Sequence, residues 1–333
     1  MGNRWIAIKE EAAYGTNPGT WTIIGGVKQI PVADYTPTPN NNMMGLKESV
    51  DLMEAGGILG GFVGENRISM YARPDNLENM LKWVMGGVSS AAHDGVQQHT
   101  YSVVDGVKSF SMEYRHGYGA LLPIFTLGNV VKSIEFNAAQ NRPCMAEITT
   151  QYKTEDIATA GLALDATVLP ALRPYTLYDA TVTSFGESLK CENVRVRLER
   201  AIPDDAHTSG SRFLQDISEE GFTISGELDA RFTTFTQRSK FYGGVSGAET
   251  APHNDFLTGV MTLYYLGQAS GVVHPNYDMT ISLPAVALQT LESGTTGRER
   301  LRQRIGFQAY SHTSAGATAA PSIVLSNDVA GPV

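Results

Sequence analysis

Apolar and polar residues alternate in several short runs, which is typical of β-strands with one buried and one solvated face. In the first half of the chain the alternation covers residues 66–73, 109–115, 131–137 and 145–152. In the second half it covers residues 222–230, 259–265, 277–283 and 304–310. The pattern therefore predicts a mainly β protein with short helices, whose sheets have one covered and one wet face.

One segment changes from strand to helix periodicity. A helix start signal, Pro then Asp, stands at positions 74–75. The apolar residues that follow at helical spacing are Leu77, Met80, Leu81 and Val84. A double glycine at 86–87 then provides a stop signal. We predict a short amphipathic helix that covers one end of a sheet or barrel.

The order strand, arginine, short helix, double glycine occurs twice. Arg73 precedes Arg231 by 158 positions, and Gly86 precedes Gly243 by 157. A strand upstream and a strand downstream repeat at the same offset. We therefore predict two tandem β-sandwich or β-barrel domains, each with a helix packed on its sheet. The predicted bounds are residues 1–160 and 176–312, joined by a proline-containing linker at 161–175.

Two regions do not fit the repeated core. Residues 31–64, inside the first domain, are rich in Gly and Asn and are predicted to form a long loop. Long ordered loops are usually functional, and an apolar one indicates a partner surface, although a plain surface loop is the alternative. The candidate contact residues there are Met43, Met44, Leu52, Met53, Ile58 and Leu59. Residues 313–333 are predicted to be a C-terminal arm or disordered.

Composition narrows the class of protein. The 333 residues include 42% hydrophobic and 18% charged residues, which is typical of a globular chain. The formal net charge of −9 makes the chain a poor DNA binder overall, because phosphate binding needs Lys and Arg. Two cysteines are too few for a disulfide scaffold of this size. Neither a signal peptide nor a membrane span is evident, so we expect assembly in a cytoplasm.

The motifs of catalytic and metal sites are missing from the sequence. None of the seven histidines stands at zinc-ligand spacing from another, and neither a phosphate-binding loop nor a nucleophile elbow is present. A basic cluster at residues 298–304 is a nucleic-acid contact or, in our preferred interpretation, either part of a loop that leads into an edge strand or a subunit contact. We expect no enzyme activity, no cofactor and no metal, although a site built from distant residues would leave no motif.

Three stretches resemble the tail tube proteins of siphophages. They are "AIKEEAAYGTNPGTWTII" at 7–24, "RISMYARPDNLENMLKWVMGG" at 67–87 and "KSFSMEYRHGYG" at 108–119. The resemblance covers most of residues 1–155. It implies a subunit of a hollow ring, with rings stacked into the tube of a virion tail. In most such tubes six single domains close each ring, so a two-domain chain implies three chains per ring with pseudo-sixfold symmetry.

The resemblance also implies partners and a lumen. The partners are further copies of the chain, a tape measure protein, tail terminator or tip proteins, and DNA that passes through without specific binding. Carboxylates on the wet strand faces are candidates for a phosphate-repelling lumen, although they could instead face outside solvent or form subunit ion pairs. These candidates are Glu113, Glu135, Glu147, Glu227, Asp229 and Asp278. In a tube, the apolar residues of 31–64 would bridge neighbouring rings.

A second function class remains compatible with the sequence. A two-domain β protein that decorates a viral particle or binds a receptor would also have a high β content and no catalytic motif. It would need neither the evenly spaced repeat nor the apolar loop, so we prefer the tube interpretation.

Overall fold

The computed structural model describes residues 5–19, 27–46, 56–115, 123–157, 172–243, 250–274, 276–294 and 301–329. The first part of the chain contains β1 (Trp5–Glu10), β2 (Lys28–Pro31), β3 (Asp34–Asn40), β4 (Met44–Leu46), β5 (Gly56–Ile58), β6 (Val63–Tyr71), α1 (Glu78–Met85), β7 (Gly86–His93), β8 (Val96–Val103), β9 (Phe110–Arg115), β10 (Ile124–Ala139), β11 (Met145–Tyr152) and β12 (Thr154–Ile157). The second part contains β13 (Ala180–Ser184), β14 (Glu187–Leu189), β15 (Cys191–Ala201), β16 (Gly221–Arg231), α2 (Thr236–Phe241), β17 (Gly259–Tyr265), β18 (Met279–Gly294), β19 (Arg302–Ala309) and β20 (Ser322–Asn327), after a 3-10 turn at Leu177–Asp179. The protein is mainly β with short helices, as the alternation predicts.

Eight strands pair antiparallel in one row, in the order β3–β6–β11–β10–β15–β16–β19–β18. The row contains strands from both parts of the chain. The two parts join where β10 pairs with β15, with Phe136 opposite Val196. Among the described residues, β3 forms one edge of the row and residues 287–294 of β18 form the other.

Apart from β4 and β5, which pair only with each other among the described residues, the remaining strands attach to the amino-terminal halves of the two long strands. β10 pairs there with β9 and β12, and β9 continues to β1 and β2. β18 pairs there with β17 and β20; β17 continues to β13 and β14, and β20 to β8 and β7. Most buried apolar side chains of both parts belong to one contiguous cluster. Most of the predicted linker at 161–175 lies outside the described residues, which resume at residue 172.

Strand pairing in the first part recurs in the second. Seven pairings have a counterpart: β1–β2 and β13–β14, β1–β9 and β13–β17, β9–β10 and β17–β18, β10–β11 and β18–β19, β10–β12 and β18–β20, β6–β11 and β16–β19, and β3–β6 and β15–β16. The register of β10 shifts at Thr126/Asn129 and Val131/Ser133. That of β18 shifts at Leu283/Val286 and Leu288/Thr290, 157 positions later in both cases. This offset equals the repeat found in the sequence.

Helix α1 forms as predicted but begins after a turn, at Glu78 instead of residue 74. Its apolar stripe is buried, and the Trp83 ring stacks on Phe110 with ring centroids 4.0 Å apart. Gly86 ends the helix with φ of +88°, a left-handed conformation that favours glycine. The helix thus covers the core beneath β9 and β10.

Two predictions of irregular structure were wrong. Residues 31–64 are not one long loop, because they contain β3, β4, β5 and the start of β6, which together form an extended hairpin. Residues 313–333 are not simply an arm, because β20 lies between β18 and β8. Ile323 and Leu325 of β20 are buried, so this strand belongs to the core.

Candidate functional site: the charged face of the eight-stranded sheet

Side chains that alternate away from the core along the eight-stranded row form a surface that we call the charged face. Along β6, for example, Ile68 and Met70 are buried, whereas Glu65 and Arg67 point outward. The carboxylates of the charged face are Asp34, Glu65, Glu135, Glu147, Glu192, Glu199, Glu227, Asp229 and Glu292. Its cationic side chains are Arg67, Lys132, Arg195, Arg197, Arg231, Arg302 and Arg304. The charged face therefore carries both signs, with only a small negative excess.

An ion pair crosses the join between the two parts of the chain. Arg195 Nε of β15 lies 3.0 Å from Glu135 Oε1 of β10. The residue opposite Glu135 in strand register is Arg197, which bonds Glu199 along its own strand at 3.0 Å. Charged side chains of both signs therefore line the join on the charged face.

Arg304 is the most densely paired cation of the charged face. Its Nη2 lies 2.7 Å from Glu227 Oε2, and its Nε lies 3.9 Å from Asp229 Oδ1. In strand register Arg304 stands between Asp229 on β16 and Glu292 on β18. The hydrogen bond and charge of Glu227, with smaller contributions from Asp229 and Glu292, raise the pKa of Arg304 above its usual range.

The other arginines of the charged face are paired as well. Glu192 accepts a hydrogen bond from Arg231 at 3.0 Å and forms an ion pair with Arg302 at 3.1 Å, and Arg67 Nε lies 3.4 Å from Glu65. With the pairs above, each of the six arginines has a carboxylate oxygen within 3.4 Å. The guanidinium groups are thus already engaged before any ligand approaches.

The charged face is concave near the join. An open depression of about 640 Å³ extends across β3, β6, β11, β10 and β15. Arg67, Glu147, Arg197 and Glu199 are among its lining residues. A concave, charged surface is suited to face a large solvated ligand or channel.

Four of the six predicted lumen carboxylates lie on the charged face: Glu135, Glu147, Glu227 and Asp229. Glu113 does not. It lies on β9 and is only 2% exposed, because both sides of β9 are covered by other parts of the chain. Glu113 is therefore corrected from a surface carboxylate to a buried one.

Asp278 also lies outside the charged face. It precedes β18, and its carboxylate accepts a hydrogen bond of 3.1 Å from the Tyr264 hydroxyl. Burial, and then the neighbouring Asp278 carboxylate, raise the pKa of Tyr264 to about 12. Asp278 therefore forms a local hydrogen bond to a tyrosine of β17 and does not lie on the same surface as Glu135, Glu147, Glu227 and Asp229.

The predicted inter-ring residues lie at the tip of the extended hairpin. Met43 and Met44 are 69% and 56% exposed, and Ile58 and Leu59 are both 52% exposed. Strands β4 and β5 hold them together, with Met44 opposite Ile58. The other two candidates, residues 52 and 53, lie outside the described residues. The described tip is an exposed apolar patch.

The base of this hairpin is braced by the segment that connects β15 to β16. The Phe62 backbone N–H donates to the Arg212 carbonyl at 2.6 Å, and the Phe62 ring packs edge-on against Phe213. The Asn42 side chain donates to the Gly61 carbonyl at 2.8 Å. The hairpin is therefore held at a defined angle to the sheet.

The sequence search missed a buried carboxylate, Glu11, in the stretch that carries the family resemblance. Glu11 is 8% exposed and accepts four hydrogen bonds of 2.7–2.9 Å. The donors are the backbone N–H groups of Gly15 and Gly128 and the hydroxyls of Ser109 and Ser111. The following "YGT" turn is thus tied to β9 and β10 through one side chain.

Among the described residues, the His, Cys, Asp and Glu side chains form no group of three or more that could hold a metal ion. Neither described helix is both long and apolar enough to cross a membrane.

A broad antiparallel sheet with open edges and an apolar projecting hairpin offers surfaces of the kind that structural proteins use to contact further subunits. A family model described as phage tail tube protein matches residues 4–250, and the chain belongs to this family. It is therefore a structural component of a phage tail that assembles with further subunits into a tube. The family predicted from residues 7–24, 67–87 and 108–119 is confirmed. No curated protein matches the chain.

Proposed function

We propose that three copies of the chain close a ring with six similar positions, and that such rings stack into a tail tube through which DNA passes. The pairing of β10 with β15 carries the proposal, because it joins two similar parts of one chain edge to edge. We propose that these parts are two copies of one domain, at residues 1–160 and 176–312. If the rotation that relates the first part to the second is applied once more, β3 of a second chain lies beside β18 of the first chain.

The two edge strands of the eight-stranded row correspond to β15 and β10, the two strands that pair at the join. The recurring pairings relate β3 to β15, and residues 287–294 of β18 to the half of β10 that pairs with β15. In the described residues, β3 pairs only with β6, and this half of β18 pairs only with β19. Exposed sheet edges invite pairing with another chain, and ring closure would cover both.

The seam between chains would differ from the join within a chain. β3 contains Pro37 and Pro39, and proline is tolerated in an edge strand because its missing N–H faces away from the ladder. The outer edge of β3 therefore offers fewer backbone donors than β15 does. Side-chain contacts would contribute more at this seam than at the join.

The width of the row is compatible with a channel. Three chains with eight strands each give about 24 strands, and at roughly 4.8 Å per strand the wall measures about 115 Å around. Barrels of 16–18 strands already leave an aqueous channel. We propose that the charged face, with Glu135, Glu147, Glu227 and Asp229, lines this channel.

The exposed hairpin tip would form the contact between stacked rings. We propose that Met43, Met44, Ile58 and Leu59, with residues 52 and 53, are buried against the next ring. A variant with Met43→Ser, Met44→Ser and Ile58→Ser should form rings that do not stack. Each large apolar side chain that is fully buried contributes about 1.5–3 kcal/mol, and this variant removes three of them. Normal tubes from this variant would contradict the stacking role.

Family membership also supports the partners and place of assembly. We propose that the tube is built around a tape measure protein, is closed by terminator and tip proteins, and is assembled in the host cytoplasm. Membership of the tail tube family favours a tube subunit over the alternative function, a decoration or receptor-binding protein.

Disulfide cross-linking tests the seam directly. Glu292 and Thr38 occupy the positions that Glu135 and Arg197 occupy at the join. Opposed residues in an antiparallel pair stand close enough for a disulfide. A Glu292→Cys/Thr38→Cys variant should give covalent trimers after oxidation of assembled protein.

Two matched variants control this experiment. Glu135→Cys/Arg197→Cys should give a disulfide within one chain, which checks the register at the join. Glu292→Cys/Asp34→Cys moves one cysteine four residues along β3 and should not cross-link. Equal cross-linking of this control, or no cross-linked trimer from the test variant, would contradict the proposal.

A further inference from the structure

The arginines of the charged face are held by carboxylates in a pattern that spans both parts of the chain. The pairs involve five strands of the row, from Arg67 on β6 to Arg304 on β19. An arginine binds phosphate through the same planar fork of N–H donors that it offers to a carboxylate. A phosphate must therefore compete with a partner that is already in place.

We propose that the charged face is a masked polyanion-binding surface: it can lie beside nucleic acid without retaining it, because each arginine is occupied by a carboxylate of the same face. The proposal rests on the proposed function only in taking DNA as the polyanion that passes. It replaces the expectation of a simply acidic, repelling wall, since the face has seven cationic side chains against nine carboxylates. Removing the partner carboxylates should turn the face into a DNA-binding surface.

The region around Arg304 is the clearest case. Glu227 bonds Arg304 directly, Asp229 lies 3.9 Å away, and Glu292 stands opposite on β18. Three carboxylates around one guanidinium leave the local charge negative even though a cation is present. Arg304 is half-exposed, so a phosphate could reach it once these charges are removed.

The pairs need not be strong to have this effect. Exposed ion pairs contribute little to folding stability. Their effect on binding is different, because phosphate affinity depends on the charge left over at the surface and on the number of cations that contact phosphates. The neutralisation of a few carboxylates should therefore change DNA binding much more than it changes stability.

The test uses purified full-length protein and a short fluorescent duplex DNA, with binding followed by anisotropy at low salt. The test variant, Glu227→Gln/Asp229→Asn/Glu292→Gln, exposes Arg304 and raises the net charge by three. We expect affinity at least about tenfold higher than for the unchanged protein, with a salt slope steeper by about 0.9 for each new phosphate contact. Addition of Arg304→Gln to the test variant should remove this gain.

A control variant has the same change in net charge elsewhere. Asp94→Asn/Asp156→Asn/Asp255→Asn neutralises three exposed carboxylates outside the charged face. It should bind DNA as weakly as the unchanged protein. Equal gains in the control and test variants would show that net charge alone acts, and would overturn the proposal. No gain in the test variant, or tight binding by the unchanged protein, would overturn it too.

Electron microscopy of the same variants separates the two proposals. The masked surface is tested on unassembled subunits, because assembly would enclose the charged face, whereas the proposed function requires rings and tubes. If the test variant gains DNA binding but neither it nor the unchanged protein forms tubes, the masked surface is supported and the tube architecture is contradicted. Tubes without any gain in binding would support the tube and contradict the masked surface.

Discussion

Glu135 on β10 and Arg195 on β15 form an ion pair of 3.0 Å across the line where the two similar parts of the chain meet. Directly behind this pair, on the buried side of the sheet, Phe136 stands opposite Val196. The join is thus charged on one side and apolar on the other, like the strands on either side of it. Two parts of one chain meet here as two strands meet within a single sheet.

The apolar side of the join should carry most of its stability. Phe136→Ala should lower the free energy of unfolding by about 3–5 kcal/mol, because it leaves a cavity in the core beneath the join. Glu135→Gln, the neighbouring control on the charged face, should cost about 0–1 kcal/mol because the pair is partly exposed. Urea unfolding of the purified subunit measures both, and a larger loss for Glu135→Gln would contradict this account.

Glu11 should be more important for stability than its place near a turn indicates. Glu11→Ala leaves four donors from β9, β10 and the turn without their acceptor, at a cost of about 1–3 kcal/mol for each unsatisfied group that stays buried. Glu11→Gln keeps the shape and one oxygen and should lose less. Thermal unfolding should rank the variants in that order, and an unchanged melting temperature for Glu11→Ala would contradict the role.

A buried ion pair couples β2 to α1. The Lys28 ammonium pairs with the fully buried Glu78 carboxylate and donates to the Asp75 carbonyl at 2.8 Å. Burial lowers the pKa of Lys28 to about 7. Glu78→Leu alone should lower the free energy of unfolding, because it leaves the buried Lys28 amine without the carboxylate that stabilises its charged form. Lys28→Met/Glu78→Leu should cost less than that single change. Additive losses in a double-mutant cycle would show that the two side chains are not coupled.

Neither cysteine should react as an ordinary surface thiol. Burial raises the pKa of Cys144 to about 12 and that of Cys191 also to about 12, with a further contribution from Asp229 at Cys191. At pH 8 only roughly one such thiol in 10,000 is ionised, whereas unfolding restores the usual pKa near 8.5. A disulfide reagent such as DTNB should therefore label both thiols only after denaturation. Rapid labelling of the native protein at pH 8 would contradict this prediction.

Alternation of apolar and polar residues predicted several of the strands that have one buried and one exposed side. It was not used to predict β15, although Val194, Val196 and Leu198 are buried there and alternate with exposed or half-buried arginine and glutamate side chains. β6, β11 and β16 follow this pattern closely, and the repeat offset of the sequence returns in the register shifts of β10 and β18. β3 was missed because the two prolines and the asparagine of "DYTPTPN" are typical of loops, and an edge strand tolerates them. β7 was missed because "GGVSSAAH" is small and largely exposed, without alternation.

The site was predicted only in part, for a related reason. Period-two patterns assign polar residues to a wet face, but β9 is covered on both sides, so Glu113 is buried despite its place in the pattern. Most ion pairs of the charged face, apart from Arg67–Glu65 and Arg197–Glu199 within single strands, depend on which strands become neighbours. Arg195 and Glu135 are 60 positions apart and meet only because β15 pairs with β10. Their pairing was outside the reach of local sequence patterns.

The central claim, a ring of three chains with six similar positions around the charged face, is tested most directly by cryo-electron microscopy of assembled tubes. The account predicts three chains per ring, six similar lobes in cross-section, and Glu135 and Arg195 facing the channel. Six chains per ring, or a charged face that points to the outside of the tube, would contradict it.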